Sequence, residues 1–226
     1  MNKTAIEWCD YTFNPVTGCL GPDGKGPCPY CFARKIAERF HGPAGFIPAF
    51  HAERLNDPMK MKKPQTIFVC SMSDLFGEWV PDLWIEQVFA EIQKAKQHTY
   101  IFLTKNPSRY LRIPGTYFSK NTWFGTSVTG IKDVDRIYEL QKLPFANRFI
   151  SFEPLLADIA HLDLTDIGQV IVGAQTNPDH YVGLEWVMKI CEEADRVGAK
   201  VFMKDSLAGR WPDRELRQEL AWRIHK

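Results

Sequence analysis

The chain alternates between short apolar runs and longer segments in which apolar residues recur at helical spacing. The apolar runs are rich in β-branched and aromatic residues, which favour strands, and they cover residues 5–13, 66–71, 99–104, 122–128, 148–153, 169–174 and 200–204. Helical segments lie between them at 31–40, 83–97 and 183–198, and the last ends at Gly198, a residue type common just after helices. The helix over 83–97 places four apolar residues near one face: Leu83, Val88, Ile92 and Ala95.

Seven nearly continuous apolar strands that alternate with helices predict an α/β fold with a parallel sheet. A full or partial (βα) TIM-like barrel suits this pattern, and a flat doubly wound sheet is the alternative. Polar residues follow almost every strand, and this favours the barrel, whose strand ends converge on one site instead of lying along a line. Residues 41–65 carry four prolines and predict a long loop with no clear strand between the first helix and the second strand.

Length and composition indicate one globular domain over residues 1–226. A formal net charge of +1, with 24% charged and 45% hydrophobic residues, leaves nucleic-acid binding undecided, because neither sign of charge dominates. The N-terminal residues lack the apolar core of a signal peptide, and no stretch is long enough to cross a membrane, so we expect a cytoplasmic protein. In that compartment the six cysteines are expected to be thiols or metal ligands.

Three of the cysteines lie close together in a loop rich in glycine and proline, with the spacing C-x8-C-x2-C at Cys19, Cys28 and Cys31. Three interpretations are open. The cysteines are free thiols, or they hold a structural zinc ion with a fourth ligand from Cys9, His41 or His51. In the third interpretation they hold a four-iron, four-sulfur cluster at three irons, so that the fourth iron can bind a small molecule.

A three-cysteine loop after the first strand, with the aromatic Tyr30 directly before the third cysteine, resembles the radical S-adenosylmethionine superfamily. The spacing departs from the usual C-x3-C-x2-C by five extra residues between Cys19 and Cys28. The resemblance implies a 4Fe-4S cluster whose open iron binds S-adenosylmethionine, and reductive cleavage of that molecule to a 5′-deoxyadenosyl radical. It also implies an electron donor such as flavodoxin or ferredoxin.

A second resemblance covers nearly the whole chain. The segments "IEWCDYTFNPVTGC", "CPYCFARKIAERF", "SMSDLFGEWVP", "FLTKNPSRY", "TWFGTSV" and "RFISFEPLL" are similar to an uncharacterised phage-associated family that carries only the label of a domain of unknown function. The second half departs from the commoner pattern of that family at "VGAQTNP" and "FMKDSL", which indicates a subgroup with a different substrate.

The superfamily resemblance implies that residues at the strand ends bind the cosubstrate: Ser71, Ser73, Asp74, Lys105, Thr126, Ser127, Glu153, Gln175 and Lys204. Ser71, Ser73 and Asp74 would meet its amino group, and Lys105, in preference to Arg109, would meet its carboxylate or a substrate phosphate. Alternatively, Ser73 and Asp74 cap the following turn, and the polar groups of the last two strands, including Asn177 and Asp205, belong to ordinary loops.

Two classes of function follow. The first is a radical S-adenosylmethionine enzyme or enzyme-like protein that acts on an unknown substrate, with nucleic acid or a nucleotide among the candidates. The second is a non-catalytic accessory module in nucleic-acid processing that binds zinc or an iron–sulfur cluster. Metal content and cleavage of S-adenosylmethionine distinguish the two classes.

Overall fold

The computed structural model describes residues 1–144, 146–176, 178–211 and 215–223. An eight-stranded sheet and a separate two-stranded pair contain its strands: β1 (Asn2–Lys3), β2 (Tyr11–Phe13), β3 (Val16–Thr17), β4 (Ala49–Phe50), β5 (Thr66–Val69), β6 (Thr99–Thr104), β7 (Thr122–Ser127), β8 (Asn147–Phe152), β9 (Gln169–Val172) and β10 (Lys200–Met203). The helices are α1 (Phe32–His41), α2 (Asp57–Lys60), α3 (Asp82–Lys94), α4 (Asp135–Gln141) and α5 (Leu184–Val197).

The strand order of the larger sheet is β1-β2-β5-β6-β7-β8-β9-β10. The pairs β2–β5, β5–β6, β8–β9 and β9–β10 are parallel, and β1 is antiparallel to β2. The predicted α/β class with a mostly parallel sheet is therefore confirmed. The order follows the chain without the reversal that a doubly wound sheet shows, so it agrees with the barrel type of connection. Among the described residues the order has two ends, as the partial form requires.

The chain divides into two compact units, Met1–Trp123 and Phe124–Lys226. Aromatic side chains fill the first, where the rings of Phe76 and Tyr110 lie 4.4 Å apart and those of Phe89 and Phe102 lie 4.8 Å apart. In the second unit the buried side of α5 contacts β9 and β10, whose residues are mostly aliphatic. The expectation of one domain over the whole chain stays a prediction.

Local signals placed most helix boundaries well. Cys31 is the N-cap of α1, and α5 ends at Gly198, whose left-handed backbone (φ 75°, ψ 18°) closes the helix as predicted. The apolar face predicted for the helix over 83–97, which is α3 in the structure, needs one correction. Val88, Ile92 and Ala95 are buried, but Leu83 is 60% exposed because, at 100° per residue, it lies on the face opposite the buried residues of α3.

Two other predictions were wrong in detail. The first strand is confined to β2, because the N–H of Cys9 donates to the carbonyl of Ile6 and closes a turn within residues 5–10. The segment 41–65 does contain a strand, the two-residue β4, which pairs with β3 in antiparallel register. Such a short strand depends on a partner far away in the sequence, so its own two residues give little indication of a strand.

Candidate functional site

The backbone immediately before Cys19 is held from two sides. Gly18 has a positive φ of 75°, and a Cβ there would lie 2.3 Å from the carbonyl oxygen of Ile47, so only glycine fits. The Gly18 N–H donates to the carbonyl of Met72 at 3.0 Å, and the Ser73 hydroxyl donates to the Gly18 carbonyl at 2.6 Å. The loop after β5 therefore fixes the point at which the three-cysteine loop begins.

The three loop cysteines differ from the other three in exposure and in hydrogen bonding. Cys19, Cys28 and Cys31 are half-buried, whereas the remaining cysteines, Cys9, Cys70 and Cys191, are buried. Backbone N–H groups point at two of the loop sulfurs: Gly21 donates to the Cys19 Sγ at 3.3 Å, and Arg34 donates to the Cys31 Sγ at 3.4 Å. Such donors are among the interactions that tune iron–sulfur ligands.

Cys19 lies in a negative environment. Burial, followed by the nearby Asp74 carboxylate, raises the pKa of the Cys19 thiol to about 12, and Cys31 adds a smaller contribution in the same direction. Cys19 therefore lies within electrostatic range of both Asp74 and Cys31. Cys28 joins the same turn, because the Cys31 N–H donates to its carbonyl at 3.0 Å.

The three loop thiols are donors that both a zinc ion and a 4Fe-4S cluster take. Within the described ranges, no three side chains of His, Cys, Asp or Glu form a group that could hold one metal ion. A tetrahedral zinc ion needs four ligands at about 2.0–2.3 Å, which forces those ligands together. A 4Fe-4S cluster takes one thiolate on each of three irons and so spaces its ligands further apart, and the three loop thiols are the side chains that would supply them.

The buried Asp74 side chain connects the loop after β5 to the end of β6 by hydrogen bonds. It is 8% exposed, and its carboxylate accepts three hydrogen bonds: from the Phe76 N–H at 3.0 Å, the Thr104 hydroxyl at 2.7 Å and the Lys105 N–H at 3.0 Å. This geometry matches the turn-capping alternative. The carboxylate therefore fixes the backbone at Lys105.

The remaining predicted residues of the first unit lie around the same loop. The Ser71 hydroxyl donates to the side-chain oxygen of Asn14 at 3.2 Å. The Lys105 ammonium lies 5.7 Å from the ring centroid of Tyr30, the residue directly before the third cysteine, and this distance is within cation–π range. Arg109 is 4% exposed and donates to the carbonyls of Gly77 and Val80, so it stabilises a loop, and Lys105 is the cation at the strand end.

In the second unit, an ion pair crosses three neighbouring strands. Lys204, after β10, donates to the Glu153 carboxylate, after β8, and both side chains are mostly buried, with 18% and 29% exposed. Gly173 follows β9 between them, and a Cβ there would lie 3.0 Å from the Lys204 Cδ and 3.2 Å from the Glu153 Cγ. The parallel register sets these three residues side by side, and glycine leaves room for the pair.

The other residues predicted for this unit make separate contacts of their own. Thr126 and Ser127 are buried within β7, and the Ser127 carbonyl accepts from Arg136 at 2.9 Å. The Gln175 side chain donates to the carbonyl of Pro178 at 2.8 Å, within its own loop. Asp205 accepts from Gln218 at 3.2 Å, and Asn177 lies outside the described residues.

Sequence reasoning missed three residues that organise these sites. Asn14 accepts from both Ser71 and the Met72 N–H, and Gly18 and Gly173 give room for close packing. Asn14 begins an Asn-Pro pair directly after β2, a dipeptide typical of turns, and Gly18 directly precedes the first loop cysteine. Those local signals were available, whereas Gly173 is explained only by side chains on two other strands.

The family model "Protein of unknown function (DUF5131)" matches residues 3–222, so the chain belongs to that family. The fold is shared with spore photoproduct lyase. One structure, a cysteine-to-alanine mutant with a dinucleoside spore photoproduct, has a TM-score of 0.63 and 11% identity over 90% of this chain and 79% of that one. The lyase complexed with the dinucleoside gives a TM-score of 0.60 and 10% identity over the same shares.

At this identity the likeness establishes the fold alone. No curated protein matches the chain. Among the described residues, none of the helices combines the length and the apolar character that spanning a bilayer requires. The phage association expected from the sequence stays a prediction.

Proposed function

We propose that this chain is a radical S-adenosylmethionine protein in which Cys19, Cys28 and Cys31 hold a 4Fe-4S cluster. One observation carries the proposal: a three-cysteine loop follows the first parallel strand of a fold shared with spore photoproduct lyase, which is itself a radical S-adenosylmethionine enzyme. The N–H donors to two of the sulfurs support cluster ligation, since hydrogen bonds to sulfur stabilise the thiolate.

The cluster would supply an open iron for S-adenosylmethionine and the electron that cleaves its sulfonium to a 5′-deoxyadenosyl radical. Side chains of the first unit serve the cosubstrate. The Lys105 ammonium, which lies near the Tyr30 ring and whose backbone N–H donates to the Asp74 carboxylate, pairs with the carboxylate of S-adenosylmethionine. Ser71 and Ser73 stabilise the loop, and each hydroxyl oxygen keeps acceptor capacity for the amino group.

The polar residues at the strand ends of the second unit are a second set of proposed ligands, for the cosubstrate or the substrate. Glu153 offers acceptors and Lys204 offers donors, and Thr126, Ser127 and Gln175 add neutral groups at the strand ends. A nucleotide-like substrate is supported by the dinucleoside bound in the lyase structures. An electron donor such as flavodoxin or ferredoxin and a cytoplasmic location complete the proposal.

Anaerobic reconstitution tests the metal. We expect about four irons and four sulfides per chain, brown colour, and a change in the electron paramagnetic resonance spectrum of the reduced protein when S-adenosylmethionine is added. Cys28→Ala should lower the iron content, because one covalent ligand is lost. Cys70→Ala, which changes a buried thiol in the same unit, should retain it. Full iron in the Cys28 variant would show that the wrong cysteines were assigned.

Incubation with S-adenosylmethionine and dithionite tests the activity, with 5′-deoxyadenosine as the product to be measured. Iron without 5′-deoxyadenosine and without a spectral change on adding S-adenosylmethionine would favour the accessory module. One zinc per chain and no iron would refute the cluster.

A further inference from the structure

Helix α1, which begins directly after the third cysteine, buries its small apolar residues and exposes its large ones. The small residues Ala33 and Ala37 are buried against Phe46. The large ones point outward: Phe32 is 54% exposed, Ile36 44% and Phe40 71%. Their spacing of four residues places them in one stripe that runs about 12 Å along the helix from the cysteine loop. Burial among the residues that the structure describes does not explain that stripe.

Positive charge borders the stripe on one side. At 100° per residue, Lys35 and Arg39 lie beside Phe32 and Ile36, on the side away from the buried alanines. The only acidic side chain of the helix, Glu38, lies 3.9 Å from the Arg34 guanidinium. Three basic residues and one acidic residue give α1 a net charge of +2 with His41 neutral. An apolar stripe with a basic border is complementary to an acidic protein surface.

The size of the stripe favours a transient partner over a second copy of the chain. Taking about 200 Å² for a fully exposed large apolar residue, the exposed area of the stripe is about 340 Å². A stable dimer buries about 800 Å² on each partner, whereas weak electron-transfer encounters use less. Self-association would also bring two positively charged helices together, which like-charge repulsion opposes.

We propose that the stripe of Phe32, Ile36 and Phe40, with Lys35 and Arg39 beside it, is the docking surface for a small acidic one-electron donor protein. This inference rests on the proposed function, because it assumes that the adjacent loop holds a cluster. The donor's cofactor loses one electron and the cluster gains it, with no bond made or broken. Docking on α1 brings the donor next to Cys31, the residue that caps the helix.

The test measures binding separately from activity. Oxidised flavodoxin is titrated into the reduced, iron-free chain at low and at high salt, and the flavin fluorescence is followed. We expect Ile36→Ser with Phe40→Ser to weaken binding about tenfold, and Lys35→Glu with Arg39→Glu to weaken it about tenfold at low salt and less at high salt. The matched controls are Leu83→Ser, an exposed apolar residue on α3, and Lys62→Glu with Lys63→Glu, an exposed basic pair. The controls should bind like the parent chain.

A second measurement separates this inference from the proposed function. In the reconstituted protein, the α1 variants should form 5′-deoxyadenosine normally with dithionite but slowly with reduced flavodoxin. Failure of the parent chain with dithionite would refute the proposed function while leaving the binding experiment valid. Three results would each overturn the docking surface. The first is flavodoxin binding that is unchanged in both α1 variants, and the second is no binding by the parent chain. The third is that the α1 substitutions abolish self-association of the chain instead of weakening flavodoxin binding.

Discussion

Replacing Asp74 by asparagine provides the sharpest test of how the site is built. The carboxylate accepts from Phe76 and Thr104 through one oxygen and from the Lys105 N–H through the other. Asparagine keeps the shape and one acceptor oxygen, but its amino group then faces the Lys105 N–H, donor against donor. The variant loses one charge-assisted hydrogen bond and leaves a mostly buried donor without a partner.

The expected cost follows from those contacts. Removing the charged partner of a buried donor costs the desolvation of that donor, about 1–3 kcal/mol and more where a charge is involved, so we expect the free energy of unfolding to fall by about 2–3 kcal/mol. With an m value of about 3 kcal/mol/M for a chain of this size, the urea midpoint should fall by about 0.7–1 M. The iron-free, reduced chain is the material to use, because no cofactor then contributes.

Tryptophan fluorescence and far-ultraviolet circular dichroism report the unfolding of this chain. Asp23→Asn is the matched control: the Asp23 carboxylate also accepts the N–H two residues ahead, from Lys25 at 3.2 Å, but it is exposed, so its midpoint should not change. If the urea midpoint of Asp74→Asn equals that of the parent chain, the structural role of Asp74 is refuted. The prediction that Asp74 contacts the cosubstrate directly would then be favoured.

Three further predictions concern other parts of the two units. Lys204→Met should lower the free energy of unfolding by about 1–3 kcal/mol, because it leaves the Glu153 carboxylate unpaired, and a double-mutant cycle with Glu153→Gln should show coupling between the two side chains. Gly18→Ala should cost at least about 2 kcal/mol in urea unfolding, since the new Cβ meets a backbone carbonyl at 2.3 Å; an unchanged midpoint would contradict that contact. In the native iron-free chain Cys28 should react with a thiol reagent before Cys191, because Cys191 is buried and burial raises its pKa to about 11. Iron loading should protect Cys28 from the reagent, and equal reaction rates of Cys28 and Cys191 in the iron-free chain would argue against the assigned exposures.

The sequence was most informative where the signal is local. Strand β6 coincides with its predicted range, and Cys31 and Gly198 mark the ends of α1 and α5, because side-chain shape and the backbone conformation that a residue prefers act within a few positions. The alternation of buried strands and helices was enough to predict an α/β fold with parallel strands. The three-cysteine loop was equally visible in the sequence, since its spacing lies within one short segment.

Pairings between distant segments could not be read in this way. Two residues of β4 form a strand only because β3 lies beside them, and Asp74 resembles a cosubstrate ligand until Thr104 and Lys105 are brought against its carboxylate. Gly173 is an ordinary loop glycine in the sequence and a necessary space in the fold, between side chains 20 residues before it and 31 after it. The local sequence determines backbone preference, burial pattern and candidate chemistry, whereas the partner of each polar group depends on which strands become neighbours, and only the tertiary structure determines that.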